Sequence, residues 1–166
     1  LNWRGRPLIA WLHDLTRPLS DDLIISCNRN QEHYAPYADQ LVADQEQDFQ
    51  GPLAGIRAGM AAARHEQMLV LPCDAPLVDH ALIESLLAQA GSQPVVIRQN
   101  DYWQPLFCLL PTRLRDDLEQ AWQSGERSPQ HWFGRLAPIA VDCPAQDSRL
   151  ANLNTPDMLA SSANID

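Results

Sequence analysis

The chain contains no lysine; all twelve of its basic residues are arginine. That absence excludes a phospho-accepting receiver domain, which also sets an aspartate at a strand end but needs a lysine near its own end. A basic excess is missing too, since the formal net charge is −9 at pH 7. With no basic stripe to displace counterions from phosphates, nucleic acid is disfavoured as a partner. A small anionic substrate stays open, because a local pocket of N–H donors can override the global field. No apolar run approaches the ~20 residues that cross a bilayer, so no membrane span is expected. The first residues show no signal-peptide pattern. No C-x-x-C pair occurs among Cys27, Cys73, Cys108 and Cys143. Their spacing fits neither a zinc site nor a disulfide scaffold and points to buried free thiols in a reducing, cytoplasmic setting. Repeats, low-complexity tracts and Gly/Ser linkers are absent as well. A chain of 166 residues with no such division is expected to form a single domain over 1–166.

What the sequence does have is alternation. Pro7 to Leu15 reads as a helix ended by Pro18. Asp21 to Asn28 reads as a strand, Gln31 to Tyr37 as a polar helical turn, and Gln40 to Asp44 as a second strand. Pro52 to His65 is predicted helical, Met68 to Leu71 a fully buried strand, and Ala81 to Ala90 a helix. In that last helix Leu82, Ile83, Leu86, Leu87 and Ala90 recur at the helical period and define a core face. Pro94 to Arg98 and Gln104 to Leu110 read as strands joined by a short polar turn, which makes the second of them the expected antiparallel member. Thr112 to Gln123 is predicted helical, followed by a shorter helix, a strand at Ile139 to Asp142, and a helix from Pro156. Strands alternating with helices imply an α/β fold with a mostly parallel sheet covered on both faces. Ligands in such sheets bind beyond the carboxyl ends of the strands. Asp44 and Asp74 both fall there.

Three stretches carry possible chemistry. In "GPLAGIRAGMAAA", Gly51, Gly55 and Gly59 recur every four residues, although glycine inside a helix costs about 1 kcal/mol relative to alanine. Close approach of backbone or ligand explains such a stripe, and so does tight helix-on-sheet packing; packing is the favoured reading for Gly59 and ligand approach for Gly51. Gly51-Pro52 fits a helix start, where free N–H groups make an anion site. In "PCDAP", Asp74 stands between Pro72 and Pro76 at a strand mouth. That suits a ligand for Mg²⁺, which takes one or two carboxylates and fills its shell with water and phosphate; an aspartate capping the following turn is the bland alternative. In "ANLNTPDML", Asn152 and Asn154 alternate along an extended segment, so they share a side and could meet a heterocycle. Local turn bonding explains them as well. The five histidines lack ligand spacing and read as surface or helix-face residues. Arg127 reads as a solvated loop arginine that could meet a phosphate.

Taken together, "CNR", Asp44, "GPLAG", "LPCDAP" and "NLNTP" stand in an order that resembles the molybdenum cofactor guanylyltransferases, the MobA family of nucleotidyltransferases. The resemblance runs from Leu1 to about Leu159, and "GPLAG" followed after about twenty residues by "PCDAP" is its most specific part. It implies a Rossmann-like three-layer fold and a Mg²⁺-dependent reaction in which GTP and molybdopterin give the guanine dinucleotide cofactor and pyrophosphate. Carried over by position, Asp74 becomes the catalytic Mg²⁺ ligand that also holds the triphosphate. Ser26, Asn28, Asp44, Gly51 and Gly55 fall on the nucleotide side, and Asn152 and Asn154 on the molybdopterin side. Molybdoenzymes or cofactor-biosynthesis proteins are the implied protein partners.

The chain departs from that pattern at its start. Members begin with a strand and a loop of the form L-A-G-G-x-x-x-R-M-G-x-x-K, and "LNWRGRPL" resembles the segment just after it. The expectation is therefore that a first strand and its phosphate loop are missing from the middle of the sheet, leaving neighbouring strands unpaired. Ser26 also stands where such enzymes often carry asparagine. The alternatives are a molybdopterin cytidylyltransferase of the same superfamily, or a nucleotide-binding pseudoenzyme if the loop is truly absent.

Overall fold

The computed structural model describes residues 2–43 and 51–153. It opens on a tiny antiparallel hairpin, β1 (Asn2–Trp3) and β2 (Arg6–Pro7). Arg4 and Gly5 turn it with φ of 49° and 78°, the positive pair that matches a two-residue turn to strand twist. Helix α1 (Leu8–Thr16) follows directly. Then come β3 (Ile24–Ser26), α2 (Gln31–Tyr34), β4 (Gln40–Val42) and α3 (Pro52–Ala62). The second half contains β5 (Gln67–Val70), α4 (His80–Leu87), β6 (Val95–Gln99) and β7 (Tyr102–Pro111). It closes with α5 (Arg115–Gln123), α6 (Pro129–Leu136) and β8 (Ile139–Asp142). The helix expected from Pro156 lies outside the described residues.

β3 and β4 pair in parallel as one sheet, and a second sheet runs in the order β5-β7-β6-β8. β7 is antiparallel to both neighbours while β6 and β8 are parallel, as the short turn before β7 implies. Asn100 and Asp101 make that turn with φ of 52° and 63°, again the pair a tight hairpin needs. Alternation along the strands divides the core. Val95, Ile97, Phe107 and Leu109 face α1 and α4, packing on Leu12, Leu82, Ile83 and Leu86. Val96, Cys108 and Leu110 face the opposite way, onto α3, α5 and α6. The result is helix, sheet, helix, the three-layer α/β arrangement expected.

Two expectations are corrected. Met68 to Leu71 are only half-buried, not fully buried, because β5 forms one edge of its sheet among the described residues. The α4 face is also shorter than its apolar pattern: the helix stops at Leu87, which is 40% exposed, and Ala90 lies beyond it.

One strand outruns its neighbour. Only Cys108–Pro111 of β7 pair with β5, so Tyr102–Phe107 project past the carboxyl end of β5. On that projection the side chain of Gln130, from α6, bonds both polar groups of one residue. Its Nε2 donates to Trp103 O at 2.7 Å, and its Oε1 accepts from Trp103 N at 3.2 Å.

Candidate active site

Helix α3 aligns the strand ends. Gly55 lies over Ser26, the last residue of β3, where an added Cβ would sit 3.6 Å from Ser26 Oγ. Three turns from its start, the same helix meets β4: Gln40 Nε2 donates to Ala62 O at 3.1 Å. The helix therefore runs antiparallel to β3 and β4, with its N-terminus at their carboxyl ends. Gly59 rests on Met68 of β5, the strand that follows after a short reversal. The carboxyl ends of β3, β4 and β5 thus share one edge with the start of α3.

At that start Gly51 has φ 83° and ψ −174°, backbone that side chains with a Cβ rarely adopt. The glycine is explained by conformation, and Pro52 follows at the first helical position, where its missing N–H is harmless. Gly55 and Gly59 are different. A methyl at either would make ordinary contact, at 3.6 Å to Ser26 and 3.5 Å to Met68 Sδ. Close packing does not forbid alanine at either position.

Asp74 sits in the loop from Leu71 to Asp79, half-buried between the buried Pro72 and Pro76. Burial raises its pKa, offset only by its own backbone N–H. Among the described residues no arginine or histidine pairs with its carboxylate. A carboxylate drawn out of water without a counter-charge costs free energy, and a cation placed beside it would recover that cost. Among the described residues no three His, Cys, Asp or Glu side chains cluster as a cage. A lone carboxylate suits a hard ion that draws its other ligands from phosphate and water.

The neighbouring thiols supply no nucleophile. Cys73 reaches solvent, yet the protein packed round its sulfur, with Asp74 and Cys27 adding to it, pushes the thiol up to about 11. Burial raises Cys27 as well, so both stay protonated at neutral pH.

The opposite side of the Asp74 loop is met by the chain's later part. Leu153 N–H donates to Asp74 O at 2.8 Å, which brings the exposed Asn152 to the carboxylate's loop. Leu153 itself is buried with Trp3 and Leu8. The structure thus gathers Ser26, Gly51, Gly55, Asp74 and Asn152 at one edge, with the exposed Asn28 two residues beyond β3. Asp44 and Asn154 lie outside the described residues.

Arg127 is not the solvated loop arginine expected from sequence. Its guanidinium lies 3.6 Å from the Trp122 ring centroid and donates to Trp122 O and Glu126 O at 2.8 Å each. "WQSGER" holds both partners, so an aromatic five residues before the arginine was the available signal. Arg149 was also missed. It binds Asp147 and Asp79, and nothing local in the sequence points to a partner 70 residues away.

The family profile of MobA-like NTP transferase domains matches residues 1–139. The molybdenum cofactor guanylyltransferase of Ectopseudomonas mendocina is 77% identical over 98% of this chain and 81% of its own length. That of Pseudomonas aeruginosa strain LESB58 is 57% identical over 97% of this chain and 83% of its own. Among solved structures, molybdopterin-guanine dinucleotide biosynthesis protein A from Archaeoglobus fulgidus superposes with a TM-score of 0.74 at 23% identity, covering 99% of this chain and 88% of that one. A Thermus thermophilus 2-C-methyl-D-erythritol 4-phosphate cytidylyltransferase also reaches 0.74, at 14% identity over 98% and 90% of the two chains. At such identities the structural likeness is one of fold.

Proposed function

Because the chain belongs to the MobA-like NTP transferase family, we propose that it is a molybdenum cofactor guanylyltransferase, transferring GMP from GTP to molybdopterin. The observation that carries this is 77% identity to an enzyme of that name across 98% of the chain. An oxygen of the pterin's terminal phosphate attacks the α-phosphorus of GTP, and the bond to the β-phosphate breaks to release pyrophosphate. The attacking phosphate is already anionic at neutral pH, so no protein nucleophile is required. In-line positioning and charge neutralisation are what the protein must supply.

The residues divide accordingly. Ser26, Asn28, Asp44, Gly51 and Gly55 hold guanine and ribose, with the first N–H groups of α3 facing the nucleotide. Asn152 and Asn154 receive the pterin. Asp74 would hold a divalent cation, Mg²⁺. Bound there, the ion neutralises charge on the triphosphate. The half-buried carboxylate, unpaired among the described residues, supports that role, as do the rigid proline flanks. The four free cysteines fit a reducing cytoplasm, and the product would pass to molybdoenzymes or cofactor-biosynthesis proteins.

The cytidylyltransferase alternative has only the fold in its favour, because relatives above half identity carry the guanylyl name. Purified protein supplied with molybdopterin, Mg²⁺ and each nucleotide in turn should release pyrophosphate with GTP. Equal turnover with CTP would remove the guanine assignment.

A further inference from the structure

The segment from Asp147 to Leu153 touches the Asp74 loop at two places. At one end Leu153 N–H meets Asp74 O at 2.8 Å. At the other, Arg149 Nη1 reaches Asp79 Oδ1 at 3.4 Å. Asp79 is already occupied as the cap of α4, accepting from Leu82 N at 2.9 Å. Arg149 in turn is gripped by Asp147, through Nε to Oδ1 at 3.0 Å and Nη2 to Oδ2 at 2.7 Å. The Asp147 side chain is only 8% exposed, so this two-pronged pair is poorly screened by solvent. Between the two contacts, Leu150 is buried in the core cluster shared by α1, α4, β6 and β7, and Leu153 is buried with Trp3 and Leu8.

Asn152 lies between these anchors, and among the described residues its side chain makes no hydrogen bond of its own. One attachment would let the segment pivot about Leu153; two attachments fix its angle against the loop. We propose that Arg149 is a positioning residue, which sets the spacing between Asn152 and Asp74 by tying the segment to the cap of α4. The inference rests on the guanylyltransferase reading above and assigns no chemistry to Arg149 itself.

A double-mutant cycle in the intact protein tests it. Arg149→Met should raise the KM for molybdopterin about threefold or more with the KM for GTP little changed, and should add nothing further in an Asn152→Ala background. Asp79→Asn is the second probe, for asparagine keeps the capping oxygen of α4 while removing the charge that faces Arg149. It should move the molybdopterin KM in the same direction and speed exchange of the Leu153 amide. A lowered melting temperature with unchanged KM overturns the inference, and so does an equal KM rise in both backgrounds. Failure of the functional reading would show differently, as no guanylyl transfer by the wild-type protein.

Discussion

Arg57 on α3 holds Glu119 on α5 through two hydrogen bonds of 2.7 Å, Nε to Oε2 and Nη2 to Oε1. The same guanidinium lies 4.9 Å from the Trp122 ring centroid, whose ring Arg127 also covers. The helix that opens at Gly51 is thereby joined to its neighbour α5 in the same helical layer by charge and stacking together.

This pair has a pH signature. The Arg57 hydrogen bond, with a smaller contribution from Gln123, holds the Glu119 carboxyl down at about 2, from an ordinary 4.5. A carboxylate depressed in the folded state contributes stability above its unfolded value and loses it as pH falls towards the folded one. Urea midpoints should therefore drop between about pH 4.5 and pH 2, and Glu119→Gln should flatten that slope. An identical slope in the variant would show that other carboxylates control acid unfolding.

Asp74 titrates with the opposite sign. Burial raises its pKa, so the charged form weakens the fold at neutral pH and that penalty fades as pH falls. Asp74→Asn should abolish guanylyl transfer while leaving the melting temperature unchanged or higher, the trade expected of a functional carboxylate. Adding Mg²⁺ with GTP should stabilise the wild type and not the variant. Wild-type turnover by Asp74→Asn would end the metal assignment.

The glycine stripe separates into two kinds. Gly51→Ala should cost about 1–3 kcal/mol in a urea titration, because its backbone lies where a Cβ is strained. Gly55→Ala should instead stabilise α3 by up to about 1 kcal/mol, since the new methyl meets Ser26 at ordinary contact distance. The same variant should weaken GTP binding if the nucleotide lies on that face, as calorimetry would show. Unaltered affinity would move the nucleotide away from Gly55.

Cys73 offers a chemical check. With its thiol near 11, only about one molecule in a thousand carries a thiolate at pH 8. Iodoacetamide should label it far more slowly than an unfolded cysteine, and Cys73→Ser should leave transfer intact.

Much of this was legible in the residues. The antiparallel β7 was readable because two polar residues cannot make a parallel crossover, and Ile139–Asp142 stood out as an isolated apolar run. The placement of Asp74 followed from the strand that precedes it. Met68 to Leu71 misled because hydrophobicity reports a preference for burial, not whether a neighbouring strand is present to provide it. Arg149 was opaque for another reason. An arginine is described by what receives it, and Asp79, the cap of α4, is brought to Arg149 only by the fold, whereas Arg127 had its ring partner within the same local stretch. Asn152 came from resemblance, and its approach to Asp74 depends on a main-chain bond that no side-chain pattern encodes.

The carboxamide of Gln130 bears on solubility as much as on shape. A strand that projects past its neighbour offers bare N–H and C=O groups, the template on which another chain can add itself. By engaging both polar groups of Trp103, Gln130 takes with a single side chain the place of a strand that is absent among the described residues. Removing it, as in Gln130→Ala, would leave an adhesive edge beside the end of the sheet that carries the candidate site, where self-association would also obstruct that site.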